Sequence, residues 1–481
     1  MYKAYVTYVT NIRPAANADR LNACEVFGNT TIIDKTITED TLVLYLPSDG
    51  QISVEFGEKN NLFRRKDDAG NNVGGFIDPD KRNITAIRLR GNRSDGLVLP
   101  ISALNYCFAH GDASIELRAG DVIDGLVNGH EICCKYIPRS NTRRDTVTEG
   151  NRTRKKKVAT APLFKEHADT EQLAYNLSAF KPGDEIEITL KMHGTSQRTG
   201  YLPVLQGYAD TWPCRVGNAL RHIMRKMGCY HGEDVHDGEP IYEYGYVSGT
   251  RRVVLENYEG GFYGDNQFRE KHSKVFEGKL WKGETVYYEV VGFTTSGAPI
   301  MSTASNSKLQ DKEFIKQYGK ETVFSYGCEP HPETWIPHDH CELEPKRPQS
   351  DIYVYRMTMT NPDGEVVEYT PDFMRYRCEQ MAVKTVPVFA RVILPHAEYF
   401  DDEHTVGNYV MAMAEQFYDG PDPVGKTHVR EGVVVRIINR PKFAAYKHKN
   451  FSFKVLSNIA VADAEASGAT EGLSEDILAE M

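Results

Sequence analysis

Apolar and polar positions change rhythm along the 481 residues, and those changes divide the chain. Up to about residue 135, short β-branched runs recur, among them Tyr5-Val6-Thr7-Tyr8-Val9, Thr30-Thr31-Ile32-Ile33, and residues 41–46 and 84–89. Turn clusters such as Gly28-Asn29, Ser48-Asp49-Gly50 and Gly70-Asn71-Asn72 separate them. Short strands at this spacing predict a small barrel or sandwich, with an OB-type barrel as one option. From residue 161 to about 458 the helical and strand periods mix. The spacing predicts helices over 218–227, 371–381 and 408–417, the last with Val410, Met411, Met413, Ala414 and Phe417 along one side. Strands are expected over 185–190, 285–293, 352–359 and 431–438. No internal repeat is visible.

Charge sharpens the boundaries. Residues 139–157 hold eight Lys/Arg against two acids and almost nothing apolar, which reads as a solvated linker. A cluster of this sign also suits a polyanion, so a phosphate-contacting segment is a compatible reading. The whole chain carries 57 basic and 67 acidic residues, a net of −10, which argues against a generally basic nucleic-acid coat protein. The distribution is uneven, however. Residues 459–481 hold six acids and no base, so the sum says little about any one face. That tail is expected to fray, with at most a short terminal helix. Residues 329–350 carry five prolines and no periodicity, which marks a surface insertion.

The remaining composition excludes several classes. No run approaches the ~18 consecutive apolar residues of a membrane span. The start, MYKAYVTYVTNIRP, lacks a charged segment followed by an unbroken apolar run, so no secretory signal is expected. Nine cysteines, an odd count, indicate no disulfide framework and a reducing interior. Cys133 and Cys134 are expected to face opposite ways on a strand, one buried and one exposed.

The segment of most chemical interest is Ile186-Glu187-Ile188-Thr189-Leu190-Lys191-Met192-His193-Gly194-Thr195-Ser196. A strand ends in a lysine, and a glycine follows within three residues. A lysine losing hydration at a strand end becomes a better nucleophile, and the glycine lets backbone donors approach a phosphate. Taken alone, K-x-H-G is a weak signal, and a chance lysine at a strand end is the better reading of it. Downstream, Glu289 sits in the middle of an apolar run, and Glu431 opens Glu431-Gly432-Val433-Val434-Val435-Arg436. Lys447 and Lys449 then lie two apart, on one face if extended.

A lysine nucleophile, a Glu strand, an E-G-V-V-x-R strand and a K-x-K strand, in this order, resemble the covalent nucleotidyltransferases, which include polynucleotide ligases and mRNA-capping enzymes. Ser248-Gly249-Thr250-Arg251-Arg252 is similar to their motif Ia, and Tyr353-Val354-Tyr355-Arg356 resembles motif IIIa. The superfamily pattern K-x-D-G is here K-x-H-G, with His193 in place of the acid. That form resembles the Deinococcus-type ATP-dependent RNA ligase family. Further matches to it are Ala18-Asp19-Arg20-Leu21, Asp49-Gly50-Gln51-Ile52-Ser53, Arg88-Leu89-Arg90-Gly91, Ser94-Asp95-Gly96-Leu97, His167-Ala168-Asp169-Thr170-Glu171-Gln172 and Gly261-Phe262-Tyr263-Gly264.

The resemblance implies an α+β protein. An amino-terminal OB-like β-barrel (1–138) and a basic linker (139–160) would precede an ATP-grasp-like nucleotidyltransferase domain (161–458) of antiparallel sheets flanked by helices. It implies ATP as cofactor with Mg²⁺ or Mn²⁺, a lysyl-AMP on Lys191, transfer of AMP to a 5′-phosphate, and sealing by a 3′-OH. By the same resemblance Glu431 would hold the metal, while Lys447 and Lys449 would steady the α-phosphate. The ATP site would comprise Thr170, Glu171, His193, Gly194, Arg251, Arg252, Glu289, Tyr353 and Tyr355. Glu289 would hold the ribose hydroxyls, and Tyr355 would stack the purine. Tyr353, expected on the same strand face, is the other stacking candidate. The implied partner is RNA or an RNA-containing nicked duplex gripped by the amino-terminal module. A monomer with no membrane partner is expected, in the cytoplasm, or in a host's cytoplasm if the chain is viral.

Other readings stay open on residues alone. A DNA ligase, a capping-type guanylyltransferase and a nucleic-acid-binding protein with an inactive core share most of these features. Cys328, His331, His338, His340 and Cys341 have ligand types that suit zinc, against a polar, proline-stiffened loop as the alternative.

Overall fold

A computed structural model describes residues 2–66, 70, 73–137, 159–167, 170–251, 253–255, 258, 266–331, 347–401 and 404–467. Most of the predicted basic linker lies outside these residues, as do Ala168, Asp169, Arg252, 261–264, His338, His340, Cys341 and 468–481.

Residues 2–137 are β-rich, as the short runs predict. A four-stranded antiparallel sheet runs Leu97–Pro100, Val43–Leu46, Ala4–Thr7, Val122–Ile123. Beside it stand the meander Thr10–Pro14, Leu21–Val26, Asn29–Asp34 and the three-stranded Cys133–Lys135, Gly50–Ile52, Asn83–Ile84. Val6, Leu44, Leu46, Ile52, Phe56 and Ile132 fill one core. Cys133 is buried and Cys134 exposed, as strand alternation requires. All cysteines among the described residues are free thiols.

The rest of the chain is mixed α+β, built on two larger sheets. One is six-stranded, with Pro240–Gly249, Thr195–Tyr208, Glu284–Gly292, Ser350–Thr360 and Val366–Glu368 in order, and Lys384–Thr385 added in parallel to Ser350–Thr360. The other is five-stranded: Glu171–Gln172, Ala444–Lys449, Gly432–Ile437, Glu185–Leu190, Val388–Ile393. Helix Val406–Glu415 packs Val410 and Met411 on Ile186, Ile188 and Val433 of the five-stranded sheet. Helix Pro371–Met381 sets Met374 and Cys378 into the larger core around Val286, Tyr288 and Met357.

Helix Phe451–Ser467 runs through residue 458 and continues past the start of the predicted tail. No described helix is long and apolar enough to cross a membrane.

The amino-terminal part is tied to the rest by side chains. Tyr5 stacks on Tyr175 at 4.5 Å, Lys454 pairs with Asp95 at 2.5 Å, and Arg88 pairs with Asp311 at 2.8 Å.

Candidate active site

Residues 191–194 carry the chain from the five-stranded sheet, which it leaves at Leu190, into the six-stranded sheet, which it enters at Thr195. Ile186, Ile188 and Leu190 alternate inward and are almost fully buried, so the strand is anchored up to the residue before the lysine. The Lys191 amide then donates to the Gly432 carbonyl at 3.0 Å. The lysine therefore starts from fixed backbone, and its side chain is about one-fifth exposed.

Its ammonium meets Glu431. Lys191 Nζ lies 2.9 Å from Glu431 Oε1, and Lys449 Nζ lies 3.2 Å from the same oxygen. Burial alone would raise this carboxyl, but Lys191 and Lys449, then His193, outweigh burial and hold it well below the usual carboxylate range. Gly432 makes this approach possible. Its φ is +148°, and a Cβ there would fall 2.1 Å from the His448 carbonyl on the paired strand.

Lys447 and Lys449 take one face of Ala444–Lys449 while His448 turns away to stack on Tyr418 at 4.8 Å, as the two-residue period predicts. Burial first, then Lys449, Lys191, Lys135 and Arg251, push the Lys447 ammonium down to about 7.

The other Glu431 oxygen is less well served. Oε2 is buried, and its partner is His193 Nδ1 at a long 3.5 Å. Burial lowers the His193 pKa against the pull of Glu431, so the ring is neutral. Phe324 and Phe453 pack edge-on against it, each at 4.6 Å. A buried carboxylate oxygen without a good hydrogen bond, beside an open cavity, suits a hard divalent cation. Next along, the Gly194 amide donates to Glu289 Oε1 at 3.1 Å. A Cβ on Gly194 would sit 2.3 Å from the Val290 carbonyl, so the turn needs glycine.

Two cavities meet at Lys191. The first is aromatic and is walled by His167, Tyr355 and Phe443, with Met192, Val386 and Val434 below. His167 is held neutral by burial and by Arg356, Arg251 and Arg198, so its Nδ1 accepts from Arg356 Nη1 at 3.1 Å. The second is a cleft shared with the amino-terminal part. Lys81, Lys135, Lys191, Arg251, Lys447, Lys449 and Lys454 line it, against only Asp49, Glu289 and Glu431. In a chain of net charge −10 this is a strongly cationic spot. Thr170, Lys191, Arg251 and Glu289 border both cavities.

The sequence-predicted residues thus converge with few exceptions. Lys191, His193, Gly194, Glu289, Glu431, Lys447, Lys449, Arg251 and Thr170 come together, and Tyr355 lines the aromatic cavity. Glu171 is exposed and lines neither cavity.

Tyr353 is buried and lines neither cavity, unlike Tyr355. A bulge at Tyr355 pairs Tyr287 with Arg356 but Tyr288 with Val354, and Tyr353 then pairs with Glu289. Tyr353 goes into the core instead. Cys328 is buried beneath Gly292, where burial raises its thiol to about 12, and His331 is exposed beside Gly297. Their three proposed zinc partners lie outside the described residues. Residues missed by the sequence reading are Lys81, Lys135 and Phe443, which carry no local signal because tertiary packing alone brings them to Lys191.

No family model matches the chain, and no curated protein matches it. Solved structures do. A Naegleria gruberi RNA ligase variant with AMP and Mn aligns at TM-score 0.50 and 15% identity, over 94% of this chain and 98% of that one. The Naegleria gruberi RNA ligase with PPi aligns at TM-score 0.50 and 16% identity, over 94% and 97%. A ligand-free variant of that ligase aligns at TM-score 0.51, with the same identity and coverage. At this identity the likeness is one of fold, and it spans both the β-rich amino-terminal part and the two-sheet part that carries Lys191.

Proposed function

We propose that this chain is an ATP-dependent RNA ligase that seals 3′-OH/5′-phosphate breaks, nicks in duplexes in particular, through a lysyl-AMP intermediate. By its K-x-H-G motif it is of the Deinococcus type. The observation that carries this reading is the position of Lys191 between an aromatic cavity and a cationic cleft. A nucleoside fits the first and phosphates fit the second, which sets the α-phosphorus of ATP beside the amine. The fold likeness to an RNA ligase with AMP and Mn supports the same reading.

In the proposed chemistry, Lys191 Nζ gives up a proton and its lone pair forms a bond to the α-phosphorus. The bond from that phosphorus to the bridging oxygen breaks, and pyrophosphate leaves. A 5′-phosphate oxygen then attacks the same phosphorus, releasing Lys191 and leaving AMP on the nucleic-acid end. A 3′-OH finally attacks the 5′-phosphate, with loss of AMP.

Lys447 and Lys449 take the negative charge that develops on the phosphate oxygens. Glu289 orients the Gly194 turn and reaches the ribose hydroxyls, and Tyr355 stacks the base. Glu431 is the residue that would hold Mg²⁺ or Mn²⁺, which when bound supplies positive charge at the α-phosphate. Residues 1–138, read as an OB-like module, close the cleft over the nucleic acid.

The test is direct. With α-labelled ATP and Mg²⁺ or Mn²⁺ the protein should acquire a covalent AMP label, and Lys191→Ala should abolish it. A surviving labelled band overturns the assignment. Nicked duplexes differing only in the 3′-terminal sugar then separate an RNA ligase from a DNA ligase.

A further inference from the structure

Thr195–Tyr208 and Pro240–Gly249 form a long hairpin whose outer half stands clear of the sheet. Residues 195–200 of the first strand pair also with Glu284–Gly292, while pairing with Pro240–Gly249 continues out to Tyr208, beyond the reach of that strand. Helix Trp212–Lys226 sits at the tip of this arm, and its amphipathicity is inverted. At about 100° per residue, Trp212, Val216, Leu220, Ile223, Met224 and Met227 fall within an arc of about 120°. Every one of them is exposed, Trp212 at 77% and Met227 at 64%.

The polar side is the docked side. Cys214 Sγ and Asn218 Nδ2 both reach the Val235 carbonyl, and Arg225 pairs with Asp234. Asp237 and Asp210 fix that loop through Thr211 and His236. The protein therefore covers the hydrophilic face and presents the apolar one, and no described residue lies over it.

We propose that this helix is an interfacial anchor for an anionic lipid surface. Of the helix's four cations, Arg221 and Arg225 lie on the docked side against the acidic segment 228–243, where Arg225 pairs with Asp234, which leaves Arg215 and Lys226 for a surface. Arg215 and Lys226 are exposed along one border of the apolar arc, where long stems can lie on lipid and raise their charges to headgroups. A tryptophan and large aliphatic side chains on one face, with basic residues beside them, are what binding in the plane of a membrane requires. A second copy of the helix would bring cations against cations, and a nucleic acid would leave the aliphatic stripe in water. At 15 residues the helix lies on a bilayer and does not span it. Such a surface association would depart from the expectation of no membrane partner, and it stands apart from the ligase reading.

The test is co-sedimentation of the full chain with vesicles of phosphatidylcholine alone, or of phosphatidylcholine mixed with phosphatidylserine. Pelleting should be at least about tenfold greater with the anionic vesicles and should fall with added salt. Trp212 emission should shift to the blue on binding, and that shift should vanish in Trp212→Phe. The double variant Leu220→Glu, Ile223→Glu should lose pelleting but keep the covalent AMP label of the parent chain, which reports an intact fold. If the parent chain carries no label, its unchanged circular dichroism serves that purpose.

Pelleting of the parent chain no greater than that of the double variant overturns the proposal, and so does equal pelleting with both vesicles. A dimer in light scattering that the double variant dissolves overturns it in favour of a second copy. RNA affinity lost in that variant with pelleting unchanged overturns it in favour of nucleic acid.

Discussion

Lys191 Nζ and Glu431 Oε1 are 2.9 Å apart, and Lys449 Nζ shares that same oxygen at 3.2 Å. One buried carboxylate oxygen thus serves two ammonium groups while its twin has only a long contact to a neutral histidine. An arriving phosphate offers both lysines a replacement anion. The carboxylate is then released toward whatever cation approaches Oε2.

Glu431→Gln keeps the shape of this residue and removes its charge. Lys191 and Lys449 lose this shared charge in a mostly buried place, at a cost of about 3–5 kcal/mol in unfolding free energy. AMP labelling should fall by ~10²-fold or more. The carboxyl is held below its unfolded value, so its stabilisation is complete above pH ~4.3 and is lost as pH falls through the lower folded value. Thermal melts between pH 3 and pH 6 should therefore drop more steeply for the parent than for Glu431→Gln. Parallel curves would refute the role of this carboxylate as counter-ion.

Lys447 behaves in the opposite sense. Its ammonium titrates near pH 7 in the folded chain and near ~10.4 when unfolded, so the folded state disfavours the charged form. Between those values the unfolded chain binds the extra proton, and stability contributed by this group rises with pH. Phosphates entering the cleft restore the charge. ATP binding at pH 8 should therefore take up a proton, and affinity should weaken as pH rises above 7, by up to about tenfold per unit. Calorimetry in two buffers of different ionisation enthalpy measures the uptake directly. Lys447→Met should abolish it.

Much of the site was legible because its strands obey simple rules. Ile186, Ile188 and Leu190 alternate cleanly, and the observed strand Glu185–Leu190 has the expected ends. Helix Pro371–Met381 also has its expected bounds, since Thr370 accepts from the Phe373 amide and Pro371 occupies the first turn. Thr195–Tyr208 escaped notice because its inward positions include Gln197 and Arg198. These are buried by hydrogen bonds and by a stack on Phe164 at 4.1 Å, which a binary pattern cannot register. Helix Trp212–Lys226 begins six residues before the expected 218, because Trp212-Pro213 opens it with no partner in the core. The cleft wall of Lys81 and Lys135 has no sequence signal at all. It exists only once the amino-terminal part is packed against the two-sheet part.

Under the proposed function that wall would grip nucleic acid and leave the nucleotide chemistry to Lys191. Deleting residues 1–135 would also strip Tyr5 and Phe27 from Tyr175, so point variants are cleaner. The double variant Lys81→Ala, Lys135→Ala should leave AMP labelling within about twofold of the parent. Each lost phosphate contact should weaken nicked-duplex binding and reduce its salt slope by ~1. Sealing unchanged at physiological salt would refute a substrate-gripping role for this wall.

The two tyrosines of Ser350–Thr360 offer the sharpest separation of binding from stability. Tyr355 faces the aromatic cavity, with its hydroxyl 2.9 Å from Ser196 Oγ, while Tyr353 is buried among Met192, Ile352 and Val386. Removing a base-stacking ring costs ~1–3 kcal/mol of binding, so Tyr355→Ala should raise the Kd for ATP by roughly 5- to 150-fold. Its melting temperature should change little, and Tyr355→Phe should retain most of the affinity, because the ring and not the hydroxyl meets the base. Tyr353→Ala opens a core cavity, at about 3–5 kcal/mol of stability. Its Kd for ATP, measured well below its melting temperature, should stay near that of the parent. If instead Tyr353→Ala weakens ATP binding while Tyr355→Ala does not, the purine does not stack on Tyr355, and the aromatic cavity is not its site.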